Sequence, residues 1–225
     1  QGLIKDLAPK SIKNDALWAL QNLISRAKNE GLTPEQATER SQGAREAEAA
    51  EIYADYQKRL AAFNAVDFDD LIRLPLQLLE TNEQLRAVWQ ERIRYLLLDE
   101  YQDTNTAQYR LVRALAGERG MFTAVGDDDQ SIYAWRGANP ENLAELSRDY
   151  PKLKVVKLEQ NYRCGRRILR VANTLIANNS HLFEKKLWSE SSEGPPIRIL
   201  ECRDDEHESE RIAAEILHLT EKHKA

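Results

Sequence analysis

The chain has 225 residues, room for one large or two small domains, and an apolar fraction of 42% that can bury a sizeable core. Its net charge of −5 argues against a non-specific basic nucleic-acid binder, although the distribution of charge matters more than the sum. No run approaches the roughly 18 apolar residues of a membrane span, and no stretch reads as a signal peptide.

Residues 1–80 read as helical by apolar spacing. A helix over 11–29 places Leu17, Leu20, Ile24 and Ala27 along one face, and Gly31 ends it. Thr33-Pro34-Glu35-Gln36 is a helix-start signal: a Thr cap, Pro in the first position and Gln three residues after the cap. One long helix is expected to follow over 37–64. Another spans 67–80, which Pro75 must kink or interrupt. Thr81-Asn82-Glu83-Gln84 repeats the capping pattern and opens a short helix to about residue 92.

From Arg94 the pattern changes to strands alternating with helices. Strands are predicted at 95–98, 122–125, 155–158 and 197–202, and helices at 105–116, 141–149, 166–178 and 206–221. Such alternation argues for an α/β fold with a parallel sheet. Ser191-Ser192-Glu193-Gly194-Pro195-Pro196 is a loop by composition. Cys164 and Cys202 lack metal-ligand spacing, and so few cysteines point to a reducing, cytoplasmic setting. His181, His207, His218 and His223 also lack ligand spacing and read as solvated.

Three segments carry chemistry. Leu96-Leu97-Leu98 reads as a buried strand, and Asp99-Glu100 follows at its carboxyl end, where parallel α/β sheets bind ligands. In a P-loop NTPase an acid at this place holds Mg²⁺ while a neighbour orients the attacking water. Alone, the pattern also fits a solvated acidic loop. The second segment is Gly126-Asp127-Asp128-Asp129-Gln130-Ser131-Ile132-Tyr133-Ala134-Trp135-Arg136-Gly137. Gln130 can both donate to and accept from a phosphate-bound water. If this segment is extended, Tyr133 and Trp135 share a face beside Arg136, an arrangement suited to stacking on unpaired bases. The two aromatics fit a protein core equally well. The third is Lys157-Leu158-Glu159-Gln160-Asn161-Tyr162-Arg163, in which Arg163 offers a planar fork matched to phosphate oxygens. Between residues 157 and 170, Lys157, Arg163, Arg166, Arg167 and Arg170 face a single acid, Glu159.

In this order and wording, the three segments resemble the Rep/UvrD/PcrA family of superfamily 1 DNA helicases, and the similarity runs along the whole chain. The resemblance implies a partial RecA-like P-loop NTPase sheet with an all-helical N-terminal insertion domain. Residues 1–80 would be that insertion, 81–157 the remainder of the first RecA-like motor domain, and 158–225 the start of the second, with the nucleotide between the motor domains. It implies ATP and Mg²⁺ as cofactors, and single-stranded and duplex DNA as partners. The implied activity is 3′→5′ translocation and unwinding in replication or repair. Asp99 would ligate the metal and Glu100 polarise the attacking water. Gln130 would sense the γ-phosphate and Arg136 link the nucleotide to the DNA path. Tyr133 and Trp135 would stack on bases. Tyr162 would pack on adenine and Arg163 reach the γ-phosphate. Phe68, in Val66-Asp67-Phe68-Asp69-Asp70-Leu71, matches a position near the DNA, and also fits a core residue on an amphipathic helix.

Two departures stand out. Cys164 replaces a small hydroxyl residue of similar size. No Gly-x-x-x-x-Gly-Lys-Ser/Thr occurs, since none of the 9 glycines precedes a lysine. The only Met is Met121, and the family's later motifs do not follow. The expectation is therefore a fragment, inactive alone, of a helicase. The motor of a RecB- or AddA-like helicase–nuclease and a catalytically dead DNA-binding relative are the alternatives.

Overall fold

A computed structural model describes residues 2–180 and 182–222, with only the backbone of Arg136. His181 and His223 lie outside the described residues. The chain divides into two compact units, Gln1–Val156 with His181–Phe183, and Lys157–Ser180 with Glu184–Ala225.

The first unit opens with α1 (Gly2–Leu7), α2 (Asn14–Asn29), α3 (Pro34–Arg40), α4 (Ala44–Ala62), α5 (Asp70–Thr81) and α6 (Glu83–Arg92). The apolar face read for α2 is real: Leu20 and Ile24 are buried with Ile4, Ile52, Tyr53 and Tyr56, and Leu17 and Ala27 pack against them. Thr33 caps α3 in a capping box, accepting from the Gln36 amide while Gln36 accepts from the Thr33 amide. The long helix expected over 37–64 is broken. Ser41 leaves helical geometry, Gly43 caps α4, and the Glu46 carboxylate accepts from the Gln42 amide at 2.7 Å. Ser41 and Gly43 are weak helix formers, and the Glu46 carboxylate reaching back to the Gln42 amide steadies the new start. Pro75 does not interrupt α5, although it leaves the Leu71 carbonyl without its helical donor. Asn82 rather than Thr81 caps α6, accepting from the Leu85 amide at 2.9 Å. The Thr81 hydroxyl instead donates to the Gln77 carbonyl, closing α5.

The turn between α4 and α5 is held by a buried charge cluster. Lys28, fully covered, reaches Asp67 at 2.6 Å and Asp70 at 3.1 Å. Arg73 donates twice to Asp70, and the Tyr56 hydroxyl donates to Asp67 at 2.9 Å. The Lys28 ammonium also sits over the Tyr53 and Tyr56 rings. Burial opposes ionisation of Asp67, yet the Lys28 ammonium, the Asp70 amide and the Tyr56 hydroxyl hold its carboxyl below the usual range. Lys28→Met would leave Asp67 without its cation and Asp70 with Arg73 alone, and removing one partner of a buried pair commonly costs about 3–5 kcal/mol. A loss of that size is expected in urea unfolding of the protein. A change below about 0.5 kcal/mol, the scale of an ordinary surface substitution, would show the cluster to be dispensable.

The rest of this unit is built on β1 (Leu96–Leu98), α7 (Thr106–Ala116), β2 (Phe122–Ala124) and α8 (Glu141–Asp149). The strands pair in parallel, with Leu96 opposite Phe122 and Leu98 opposite Ala124. Tyr101, Tyr109, Ala116, Phe122 and Leu146 form the core on one face, with Leu96 and Leu98 against it. The strand is not buried on both faces as its three leucines suggested, since Leu97 points the other way and is 81% exposed. Helix α5 packs on α7, where Arg110 pairs with Glu80 at 2.6 Å.

The second unit contains α9 (Arg166–Ile176) and α10 (Asp205–Lys222). The strands expected at 155–158 and 197–202 are not formed among the described residues. The apolar pattern is present, but a strand needs a neighbour to take its ladder, and Val156, Leu158 and Ile199 are exposed instead. An isolated parallel bridge joins Gln160 to Trp188.

Candidate active site

The carboxyl ends of β1 and β2 run on side by side. The Val125 amide donates to the Leu98 carbonyl at 2.8 Å and the Tyr101 amide to the Val125 carbonyl at 2.9 Å. This brings Asp99-Glu100 beside Gly126-Asp127 although 25 residues separate Gln102 from Asp127. Asp99 is exposed, and its carboxylate accepts from the Glu100 amide at 3.0 Å. Glu100 has φ 48° and ψ 43°, left-handed backbone that a non-glycine residue seldom adopts. Its twist turns the chain sharply out of the strand and into the 3-10 turn Tyr101–Asp103.

That turn is firmly anchored. Tyr101 is fully buried in the core. The Asn142 amide group, on α8, donates to the Thr104 carbonyl at 2.9 Å and the Thr104 hydroxyl at 3.1 Å. Asn105 caps α7 in a capping box with Gln108 and donates to Asn29 of α2 at 2.8 Å. Both acids are thus displayed on a short loop whose two ends are fixed.

Gln130 ends the turn Asp128–Gln130, and its amide donates to the Asp127 carboxylate at 2.7 Å. Asp99, Glu100 and Gln130 therefore belong to one neighbourhood, reached through Asp127 and Gln102. Asp127, Asp128 and Asp129 each bring one carboxylate oxygen within 4.8 Å of the others. The segment beyond is not extended. Ala134–Arg136 forms a 3-10 turn, so the face shared by alternate residues of a strand is lost. The Tyr133 and Trp135 rings still neighbour each other, with centroids 6.4 Å apart and planes at 53°. Trp135 is 75% exposed, which removes the core reading. Of Arg136, the side chain lies outside the described residues. Phe68 stands before α5, not on it, and at 89% exposure it is no core residue either.

Within the second unit, Asn161 accepts from the amides of Arg163 at 2.9 Å and Cys164 at 2.7 Å. This side-chain turn leaves Tyr162 and Arg163 exposed. The Tyr162 hydroxyl donates to Gln160 at 2.8 Å. The basic run that follows is partly neutralised, because the Glu193 carboxylate lies 2.8 Å from Arg170 and 3.8 Å from Arg166. Sequence spacing had set only Glu159 against it.

Sequence reasoning passed over Gln102. It is 1% exposed, donates to Glu100 at 2.8 Å and accepts from the Asp127 amide at 3.0 Å. The available signal was a neutral amide placed directly after the core tyrosine Tyr101 and two residues after Glu100.

Comparison with known proteins agrees along the whole chain. Residues 1–151 match the UvrD/REP helicase N-terminal domain, and residues 156–225 match the UvrD-like helicase C-terminal domain. The chain is 53% identical over 217 residues to the ATP-dependent DNA helicase Rep of Escherichia coli (strain K12), covering 96% of this chain and 32% of that protein. It is 43% identical over 228 residues to the ATP-dependent DNA helicase PcrA of Bacillus subtilis (strain 168), covering 100% of this chain and 30% of the relative. Against the ATP-dependent DNA helicase UvrD1 of Mycobacterium bovis the identity is 44% over 215 residues, 91% of this chain and 28% of the relative. The chain spans about a third of the length of the curated relatives it matches.

Proposed function

Because this chain belongs to the UvrD/REP helicase family, we propose that it is part of an ATP-driven helicase that moves 3′→5′ on single-stranded DNA and unwinds duplex DNA. The observation that carries this reading is the pair Asp99 and Glu100, displayed on an anchored loop at the carboxyl end of a parallel strand. Residues 1–80 serve as a helical insertion, 81–157 as the rest of a first RecA-like motor domain, and 158–225 as the start of a second. Among the described residues no helix is long and apolar enough to cross a membrane.

The donor set suits Mg²⁺, which keeps several waters and takes one or two carboxylates together with substrate phosphates. Asp99, an exposed carboxylate at the strand end, is the metal ligand. Bound there, the ion would supply positive charge to offset the negative charge that develops on the phosphates. Glu100 accepts the proton of the attacking water at its carboxylate. Gln130 orients that water or the γ-phosphate by donating and accepting at one amide. Tyr162 stacks on the nucleotide base, and Arg163 binds the γ-phosphate with its fork. Arg136 links nucleotide to DNA. Tyr133, Trp135 and Phe68 offer flat faces to unpaired bases. The exposure of Trp135 and Phe68 supports that role, since a stacking platform must meet solvent before it meets a base.

The test is Trp135→Ala in the helicase that carries this chain. A base stacked on an aromatic side chain contributes roughly 1–3 kcal/mol. Single-strand affinity is therefore expected to fall about tenfold or more, with the melting temperature nearly unchanged. Unchanged affinity together with a large fall in melting temperature would remove DNA stacking from this residue.

A further inference from the structure

Gln102 has no part in the reaction proposed above, yet its side chain touches both halves of the site. It lies 1% exposed, beneath Glu100 on one side and the start of the Asp127 loop on the other. Its Nε2 donates to the Glu100 carboxylate at 2.8 Å, and its Oε1 accepts from the Asp127 amide at 3.0 Å. Chemistry forces this orientation of the amide. The Asp127 backbone N–H can only donate, so it must face Oε1. The NH₂ group is thereby turned to Glu100, whose ionised carboxylate can only accept. Neither Glu nor Met could serve both contacts, because Glu lacks the donor and Met lacks both groups.

The neighbouring backbone is shaped to the same end. A Cβ placed on Gly126 would lie 2.9 Å from Gln102 Oε1 and 3.3 Å from the Gln102 amide nitrogen. A glycine at 126 lets the two loops approach closely enough for the Gln102–Asp127 bond to form. The Ser131 hydroxyl adds a longer contact, 3.4 Å, to the Gln102 carbonyl.

We infer that Gln102 is a positioning residue for ATP hydrolysis: it fixes the Glu100 carboxylate to the backbone of Asp127 and so sets where the base stands when water attacks. This rests on the reading of Glu100 as the base. The side chain of Glu100 is otherwise exposed on a left-handed residue. Without a tether it samples rotamers that point away from the water, and a small misplacement of a catalytic group is expensive in rate.

The experiment uses the helicase that carries this chain, with single-stranded DNA present. It compares wild type, Gln102→Met, Gly126→Ala, Glu100→Gln and the two double variants made with Glu100→Gln. Gln102→Met keeps the length and removes both hydrogen bonds. Gly126→Ala displaces Gln102 by one methyl group. Each single variant is expected to lower kcat about tenfold or more, with KM for ATP, single-strand affinity and melting temperature close to wild type. In the Glu100→Gln background neither should lower the residual rate further, because the group they position is gone. A purely structural role would shift KM and stability, and would add its loss to that of Glu100→Gln. Such additivity, or a kcat within twofold of wild type in either folded variant, overturns the inference. If Gln102→Met fails to fold, Gly126→Ala decides by the same criteria. If Glu100→Gln itself leaves kcat unchanged, the reading of the base is wrong, an outcome distinct from failure of Gln102 alone.

Discussion

Glu100→Gln in the intact helicase is expected to abolish useful turnover while leaving nucleotide binding in place. The substitution keeps size and hydrogen bonding, so Gln102 can still donate to the side chain at position 100. What it removes is the ability to take a proton from water. General-base removal commonly costs about 10²–10⁴-fold in rate, and kcat should fall in that range. Asp99 is untouched, so metal-dependent binding of a non-hydrolysable ATP analogue should stay within a few-fold of wild type. Single-turnover hydrolysis and analogue titration separate the two. A rate within about twofold of wild type would be far from that expected loss, and Glu100 would then not be the base.

Arg163→Ala should have an effect at least as large. An arginine that meets the γ-phosphate in the transition state is worth about 10³–10⁵ in kcat in other NTPases. Here the residue is exposed, with its backbone fixed by Asn161 through the Arg163 amide at 2.9 Å and the Cys164 amide at 2.7 Å. Its guanidinium is thereby presented on a rigid turn, not on a loose loop. Arg163→Lys keeps the charge and loses the planar fork, so it should recover only part of the rate. The measurement is kcat with KM for ATP, since transition-state stabilisation should appear in kcat. An Arg163→Ala enzyme within about tenfold of wild type would fall outside that range and assign the role elsewhere.

Much of the fold is written locally. Helix α8 occupies Glu141–Asp149, the span its periodicity predicts, because an amphipathic stripe and a preceding proline mark its bounds in the local sequence. Thr33 announced its capping box in four residues. Asp99 and Glu100 were legible because acids after a leucine run signal a strand end. What failed depended on distant partners or on local geometry that composition hides. Residues 155–158 have a strand's composition, but pairing depends on a neighbour the local sequence does not specify. Tyr133 and Trp135 were placed on one face by assuming extension, whereas the chain turns at Ala134. The role of Gln102 was invisible because its second partner lies 25 residues away. Of the two readings of Phe68, a place near the DNA or a core residue on a helix, the second fails because the Lys28 cluster takes its neighbours Asp67 and Asp70 and leaves Phe68 outside.

The left-handed backbone at Glu100 bears on how this sequence can drift. A side chain in that conformation costs about 1–2 kcal/mol, and glycine escapes most of it. Glu100→Gly would thus relieve strain at the moment it discards the proposed base. Folding and chemistry press on this codon in opposite directions. Selection for thermal robustness alone, as in a laboratory campaign scored by melting temperature, would favour a glycine here and remove the proposed base. A glutamate where the backbone favours glycine fits the proposed role of Glu100 as the base, a role glycine could not fill.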